Sequence, residues 1–208
     1  METRAYEIFS HINREISVRV MPGHFATKNS HVSHCIDMTK VKSDLNSAKA
    51  AAKIFADSFS GTPVDTVISL ERMKMVGAFL ADNLAHSGIN LRQDIAVITP
   101  EISEDKLLLR DNFLPYVKDK NVLILTASAT TGKTVNSAIR GIRYYGGNAV
   151  GAATVFGGEF TCDVPVVKLL GVGDISGYSS YAPVDCPLCR SGVKVDAVVN
   201  SYGYSKII

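Results

Sequence analysis

The stretch Asn121 to Tyr145, NVLILTASATTGKTVNSAIRGIRYY, constrains the fold more than any other part of the chain. Val122 to Leu125 form an unbroken apolar run with the composition of a buried strand. Small and hydroxylated residues follow from Ser128 to Thr134 around Gly132, and then Val135, Ala138, Ile139 and Ile142 recur at helical spacing. Strand, tight loop and helix in that order make a βα unit. A loop at such a junction aims consecutive backbone N–H groups and a helix N-terminus at one point, which suits a phosphate. Ser128, Ala129, Thr130, Thr131, Gly132, Lys133 and Thr134 are therefore the candidate cradle, with threonine hydroxyls as donors and Lys133 as a cation.

The same alternation recurs along the chain. Val64–Leu70, Ile95–Thr99, Ala149–Phe156 and Val164–Val172 read as further strands, with helices over Met75–His86 and through Leu45, Ala48, Ala52, Phe55 and Phe59, the latter capped by Ser43. That rhythm implies a mainly parallel sheet flanked by helices. Ahead of it, Tyr6, Ile8, Phe9 and Ile12 suggest a short N-terminal helix, Ile16–Val20 a strand, Pro22-Gly23 a turn, and Ile36–Met38 a return strand. Between the strand at Val64 and its helix stand Glu71, Arg72, Met73 and Lys74, whose cations sit where a second anionic group would be held. Pro100 to Phe113 is a polar excursion with Leu107 to Leu109 at its centre, expected as a hairpin or flap in which Lys106 or Arg110 faces a departing anion.

Composition narrows the partners. The 208 residues are 46% hydrophobic and carry a net charge of +2, enough for one α/β domain with a small appendage and too little for a basic field, so nucleic acid is not expected. METRAYEIFS has no apolar leader and no run approaches the roughly 18 residues that span a bilayer, so a soluble cytoplasmic protein without membrane association is expected. Four cysteines do not suggest a disulfide framework in that setting. Cys186-Pro-Leu-Cys189 is at best half of a zinc site, which Cys162, Cys35 or a histidine would have to complete; structural zinc is not expected there, and reduced thiols in a tight turn are the default. His24, His31 and His34 match no standard ligand spacing and are expected at the surface or beside a substrate, so no metal ligands are assigned. From Gly173 the tail is rich in tyrosine, as an irregular cover or a subunit contact would be.

The run Val122 to Thr134 resembles the 5-phosphoribosyl 1-pyrophosphate (PRPP) motif of the type I phosphoribosyltransferases, a strand, two acids, two apolar residues and Thr-Thr-Gly-x-Thr. Ile16 to Asp37 is similar to the N-terminal hairpin of the orotate phosphoribosyltransferase branch, with Met21-Pro-Gly-His24 and His34-Cys-Ile-Asp37 at its two short elements. The Cys-Pro-Leu-Cys turn and Asn200 to Lys206 are similar to the tail of bacterial orotate phosphoribosyltransferase-like proteins. The resemblance implies a type I phosphoribosyltransferase fold over residues 1–172, with a hood in 1–42 and an extension over 173–208 packed on the core or a partner subunit. It implies Mg²⁺, PRPP or a nucleoside monophosphate, orotate or a related base, and a homodimer. Glu71 to Lys74 become its pyrophosphate loop, and 101–113 its catalytic loop.

One departure is plain. The family's two acids at the ribose hydroxyls fall on Thr126 and Ala127. Three readings follow: a phosphoribosyltransferase, a non-catalytic regulator binding PRPP or a nucleotide, and a P-loop triphosphate binder built on Ala127-x-x-x-x-Gly132-Lys133-Thr134.

Overall fold

The computed structural model describes residues 2–103 and 106–207, and the counts below refer to these. The hood begins with β1 (Tyr6–Phe9), β2 (Ser17–Ala26) and β3 (His31–Asp37). Helices α1 (Thr39–Ser43) and α2 (Leu45–Ser58) lead into β4 (Thr66–Ser69), α3 (Lys74–Ala85) and β5 (Ala96–Ile98). A hairpin of β6 (Glu101–Ser103) and β7 (Lys106–Leu108) precedes β8 (Asn121–Ala129), α4 (Lys133–Tyr144), β9 (Asn148–Gly157) and β10 (Val166–Gly171). The tail holds β11 (Ser180–Tyr181), the single turn α5 (Pro187–Arg190), β12 (Ala197–Asn200) and β13 (Gly203–Lys206). Glu104 and Asp105, part of the expected flap, lie outside the described residues.

The central sheet has the order β10-β9-β8-β4-β5, with every pair parallel. Alternate residues of β8 serve opposite faces. Leu123 and Leu125 pack with Phe55 of α2 and with Val76, Leu80 and Leu84 of α3. Val122 and Ile124 pack with Val135, Ile139 and Ile142 of α4. Each such side chain, fully buried, is worth about 1.5–3 kcal/mol relative to exposure, so the amphipathic face of α4 fixes the helix on the sheet.

The hood differs from its expected form in three ways. The N-terminal helix is absent: Glu2–Arg4 make a 3₁₀ turn and Tyr6–Phe9 pair antiparallel with Val20–Ser17, because the open edge of β2 offers ladder hydrogen bonds that a lone short helix lacks. Pro22-Gly23 does not turn the chain but forms an irregularity inside β2, and the reversal falls at Thr27–Ser30, where Thr27 N–H donates to the Ser30 carbonyl at 2.8 Å. The tail is not an irregular cover. β11 pairs with β3, and β12 lies parallel to β2 with β13 beyond it, so the extension widens the hood sheet. Asp44, not Ser43, caps α2, accepting from Ser47 N–H at 3.0 Å. No helix among the described residues is long and apolar enough to cross a membrane.

Tyr178 joins hood to core. Its ring stacks on His34 at 6.2 Å and meets Phe156 edge-on at 5.5 Å, and burial pushes its hydroxyl pKa up to about 12. His34 is buried beside it, and burial holds its pKa below the ordinary 6.5. The unfolded chain therefore binds this proton more readily than the folded one. The contribution of neutral His34 to stability is full above pH 6.5 and is lost as the pH falls toward the depressed folded value. We expect unfolding free energy, followed by urea denaturation from pH 7 to 5, to drop more steeply in the native chain than in His34→Gln. The difference is at most one proton, about 1.4 kcal/mol per pH unit. Identical slopes would show that His34 ionises freely in the fold.

Candidate functional site

β4 and β8 are neighbours, in register from Thr66 opposite Val122 to Ser69 opposite Leu125. The chain leaves them in opposite directions, from β4 through α3 to β5 on one side and from β8 through α4 to β9 on the other. Diverging crossovers open a crevice outside the carboxyl ends of the two strands, the place where open α/β sheets bind ligands. Each strand delivers a helix N-terminus to that crevice. Neither N-cap residue, Met73 before α3 or Gly132 before α4, provides a side-chain cap, so the first N–H groups of both helices are available to solvent or an anion.

The loop before α4 is shorter than the sequence suggested. β8 continues through Ser128 and Ala129, which pair with Phe156 and Gly157 of β9. Ser128 gives its N–H to Glu71, while Ala129 is buried and its carbonyl accepts from Gly158 N–H at 3.0 Å. Of the seven candidate residues, Ser128 and Ala129 thus lie in the strand, and Thr130, Thr131, Gly132, Lys133 and Thr134 form the loop and first turn of α4. Gly132 has φ of +72°, and the Phe160 ring fills the space a Cβ would need. The same register argues against the P-loop alternative. Ala127–Ala129 lie in a paired strand, whereas a loop wrapped around a triphosphate needs their N–H groups unpaired.

The loop after β4 holds the feature that sequence reasoning missed. Glu71 and Arg72 both have positive φ, 48° and 66°, a conformation that costs a residue with a Cβ about 1–2 kcal/mol. The turn aims the Glu71 carboxylate across at β8. Its Oε2 accepts from Thr126 Oγ1 at 2.9 Å, from Ser128 N–H at 2.8 Å and from Ser128 Oγ at 3.2 Å. Oε1 accepts only a long bond from Ser128 Oγ, at 3.4 Å, and retains accepting capacity. Thr126 and Ala127 are themselves buried. A carboxylate from the loop after β4 is thus held against the end of β8, and no spacing within either segment signals it.

The other residues of that loop divide. Arg72 and Lys74 are exposed, whereas the side chain of Met73 is buried in the core. The Arg72 guanidinium lies 4.5 Å over the Tyr202 ring, in the turn between β12 and β13. Lys42 donates to the Ser201 carbonyl at 3.1 Å. Burial, foremost, draws the Lys42 pKa below its ordinary value, with Glu71 and Asp37 opposing and Arg72 reinforcing. The tail and α1 therefore border the crevice on its α3 side.

On the α4 side the β6–β7 hairpin docks on the helix. Leu107 is buried against Gly141, and Leu109 N–H donates to Tyr145 OH at 3.2 Å. An open cleft of about 930 Å³ runs along this contact, lined by Lys106, Thr131, Lys133, Thr134 and Arg140 among others. Lys106 is thus brought to the cradle's side of the cleft. Arg110 is exposed and paired with Glu101 across the hairpin.

No protein-family profile matches the chain. It is 26% identical to the orotate phosphoribosyltransferase of Caldanaerobacter subterraneus over 175 residues, covering 82% of this chain and 85% of that one. It is 27% identical to that of Chlorobium phaeobacteroides over 182 residues, covering 86% and 88%. Among solved structures it is similar to orotate phosphoribosyltransferase from Aeropyrum pernix, with a TM-score of 0.52 and 21% identity over 74% of this chain and 88% of that one. A second is the adenine phosphoribosyltransferase of Trypanosoma brucei in complex with AMP, pyrophosphate and ribose-5-phosphate, with a TM-score of 0.50 and 14% identity over 70% and 73%. The fold is that of the type I phosphoribosyltransferases, and the chain is orotate phosphoribosyltransferase-like in sequence.

The docked hairpin yields a test. A Cβ at position 141 would meet Leu107 Cβ at 2.8 Å, so Gly141→Ala should lever the hairpin off α4 while raising helix propensity by about 1 kcal/mol. We expect trypsin to cut after Lys106 or Arg110 several-fold faster in this variant, at a melting temperature no lower than native. An unchanged cutting rate would mean the contact does not hold the hairpin down.

Proposed function

We propose that the protein binds PRPP across the crevice between β4 and β8 and transfers its phosphoribosyl group to a ring nitrogen of orotate or a related base, releasing pyrophosphate. The observation that carries this reading is the Glu71 carboxylate held between two helix N-termini at the carboxyl ends of adjacent parallel strands. Sequence similarity to orotate phosphoribosyltransferases supports the reaction class. The fold of the Trypanosoma brucei neighbour holds a nucleotide, pyrophosphate and ribose-5-phosphate, the same three chemical parts.

In this proposal the N–H groups of Thr130 to Thr134, the threonine hydroxyls and Lys133 hold the 5′-phosphate. The N-terminus of α3, with Arg72 and Lys74, holds the pyrophosphate. The base nitrogen forms its bond to C1 as the C1–O bond to pyrophosphate breaks, the electron pair leaves with the pyrophosphate oxygen, and the nitrogen's proton is lost to solvent or to the departing pyrophosphate. Positive charge builds on the sugar, and the Glu71 carboxylate opposes it from a preorganised position. Lys106, on the docked hairpin, reaches the departing anion when the hairpin swings toward the crevice. Mg²⁺ fits this donor set, since it is commonly bound by one or two carboxylates plus substrate phosphates, and Glu71 Oε1 keeps lone pairs for it. When bound it would neutralise the pyrophosphate.

Titration calorimetry with PRPP, orotate, orotidine monophosphate and ATP, with pyrophosphate release measured across a panel of bases, tests the proposal. Thr131→Asp places an anion in the cradle and should abolish PRPP binding. Glu71→Gln should retain most PRPP affinity and lower the rate about a hundredfold. Tight ATP binding that collapses in Lys133→Ala would overturn the assignment. PRPP binding without pyrophosphate release on any base would identify a regulator of the same fold, the reading favoured by the buried Thr126 and Ala127.

A further inference from the structure

The hood and the tail meet at four metal-binding side chains that the crevice does not use. His24 and His31 come from β2 and β3, and Cys186 and Cys189 from the turn at α5. One ligand atom of each lies within 4.8 Å of the others. His24 Nε2 is 3.0 Å from His31 Nδ1, 3.5 Å from Cys186 Sγ and 3.7 Å from Cys189 Sγ, and Cys189 Sγ is 3.2 Å from His31 Nδ1. A tetrahedral zinc ion with Zn–N of about 2.0 Å and Zn–S of about 2.3 Å needs ligand-to-ligand edges of about 3.3–3.8 Å. The four distances above, 3.0–3.7 Å, lie close to that range, and the remaining two are no longer than 4.8 Å.

Further details of the same site fit a metal ion. His24 Nδ1 lies 2.9 Å from the Val193 carbonyl, which can only accept, so this nitrogen carries the proton and Nε2 turns its lone pair toward the other three atoms. That outer bond is the usual support of a metal-bound imidazole. The irregularity of β2 between Pro22 and Phe25 aims His24 inward, where it is 1% exposed, like Cys186. Asp196 clamps the same bend, its carboxylate accepting from His24 N–H at 2.8 Å and its own N–H donating to the His24 carbonyl at 2.7 Å. Exposed Cys189 and half-buried His31 leave an entry side.

We infer that His24, His31, Cys186 and Cys189 form a structural zinc site that staples the tail to the hood. Two thiols and two imidazoles in a tetrahedral arrangement select zinc over hard cations such as Mg²⁺, and four protein ligands close the site to substrate. Binding releases the two thiol protons to solvent, and the thiolates balance the charge of the ion. The staple would hold β12 and β13 on β2, and with them the Ser201-Tyr202 turn against Lys42 and Arg72.

The test is metal analysis of the full-length protein, purified under reducing conditions and also stripped and retitrated with Zn²⁺ or Co²⁺. One zinc per chain is expected, and the Co²⁺ form should show the intense visible bands and thiolate charge transfer of a tetrahedral site. Cys189→Ser and His31→Ala, at the more exposed ligands, should lower zinc affinity at least tenfold, whereas Cys162→Ser should leave it unchanged. Stripping should lower the melting temperature of the native chain. Failure of the reduced protein to take up either metal would overturn the inference, as would zinc binding untouched by both ligand substitutions. If the variants do not fold, the Co²⁺ spectrum of the native chain decides alone, and an octahedral, thiolate-free spectrum would overturn it.

Discussion

The pairing of β4 with β8 is the constraint on which the rest of this structure depends. Parallel strands cannot be joined by a tight turn, so each must send its chain over one face of the sheet and return beside a different neighbour. From β4 the return is β5 and from β8 it is β9, so α3 and α4 cover opposite faces and their N-termini open toward one crevice. Two sites for negative charge at the same edge therefore follow from topology before any particular side chain is chosen. What the side chains decide is whether anything of the right charge stands between those two sites.

Here the answer lies with one carboxylate in an unusual place. The end of β8 carries the buried Thr126, whose hydroxyl donates to Glu71. Adjacent strands lie only about 4.8 Å apart, so a glutamate on the neighbouring loop can reach what an aspartate on the strand itself would reach. The cost is conformational. Glu71 and Arg72 must both adopt positive φ, and that strain is offset by the charge-assisted bonds from Thr126 and Ser128. Strain held in place by hydrogen bonds at a strand end is what a preorganised site requires, and it has no evident role in an ordinary connection.

The central sheet was legible because it is governed by local pattern. Val122–Leu125, Val64–Leu70 and the spacing of Val135, Ala138, Ile139 and Ile142 each report burial directly, and β8, β4 and α4 formed at those places, although β8 runs on to Ala129. The hood was not, because its elements are decided by partners far away in the chain. Tyr6–Phe9 has an adequate helical face, yet the open edge of β2 converts it to a strand. The tail strands are short and polar, and only the second half of that same edge, at Phe25 and Ala26, gives β12 a ladder to join. The extent of β8 was missed for a related reason: Ser128 and Ala129 are loop-like in composition, and their strand geometry is imposed by Phe156 and Gly157. His24 and His31 resembled no ligand pattern because their partners stand more than 150 residues further along the chain.

The hood and the crevice are consequently one mechanical unit. β2 is bonded along one edge to β3 and along the other to β1 and then β12, so whatever fixes β12 also fixes the turn that follows it. That turn places Tyr202 under the Arg72 guanidinium and the Ser201 carbonyl on Lys42. Arg72 sits beside Glu71 in the same strained turn, so a shift of Tyr202 bears directly on the loop that orients the carboxylate. A cation stacked on an exposed ring is held by only about 0.5–1 kcal/mol, weak enough for a polyanion to compete for Arg72 and strong enough to preset its direction when the crevice is empty. The extension thus sets the ground state of the loop from which charge in the crevice is organised.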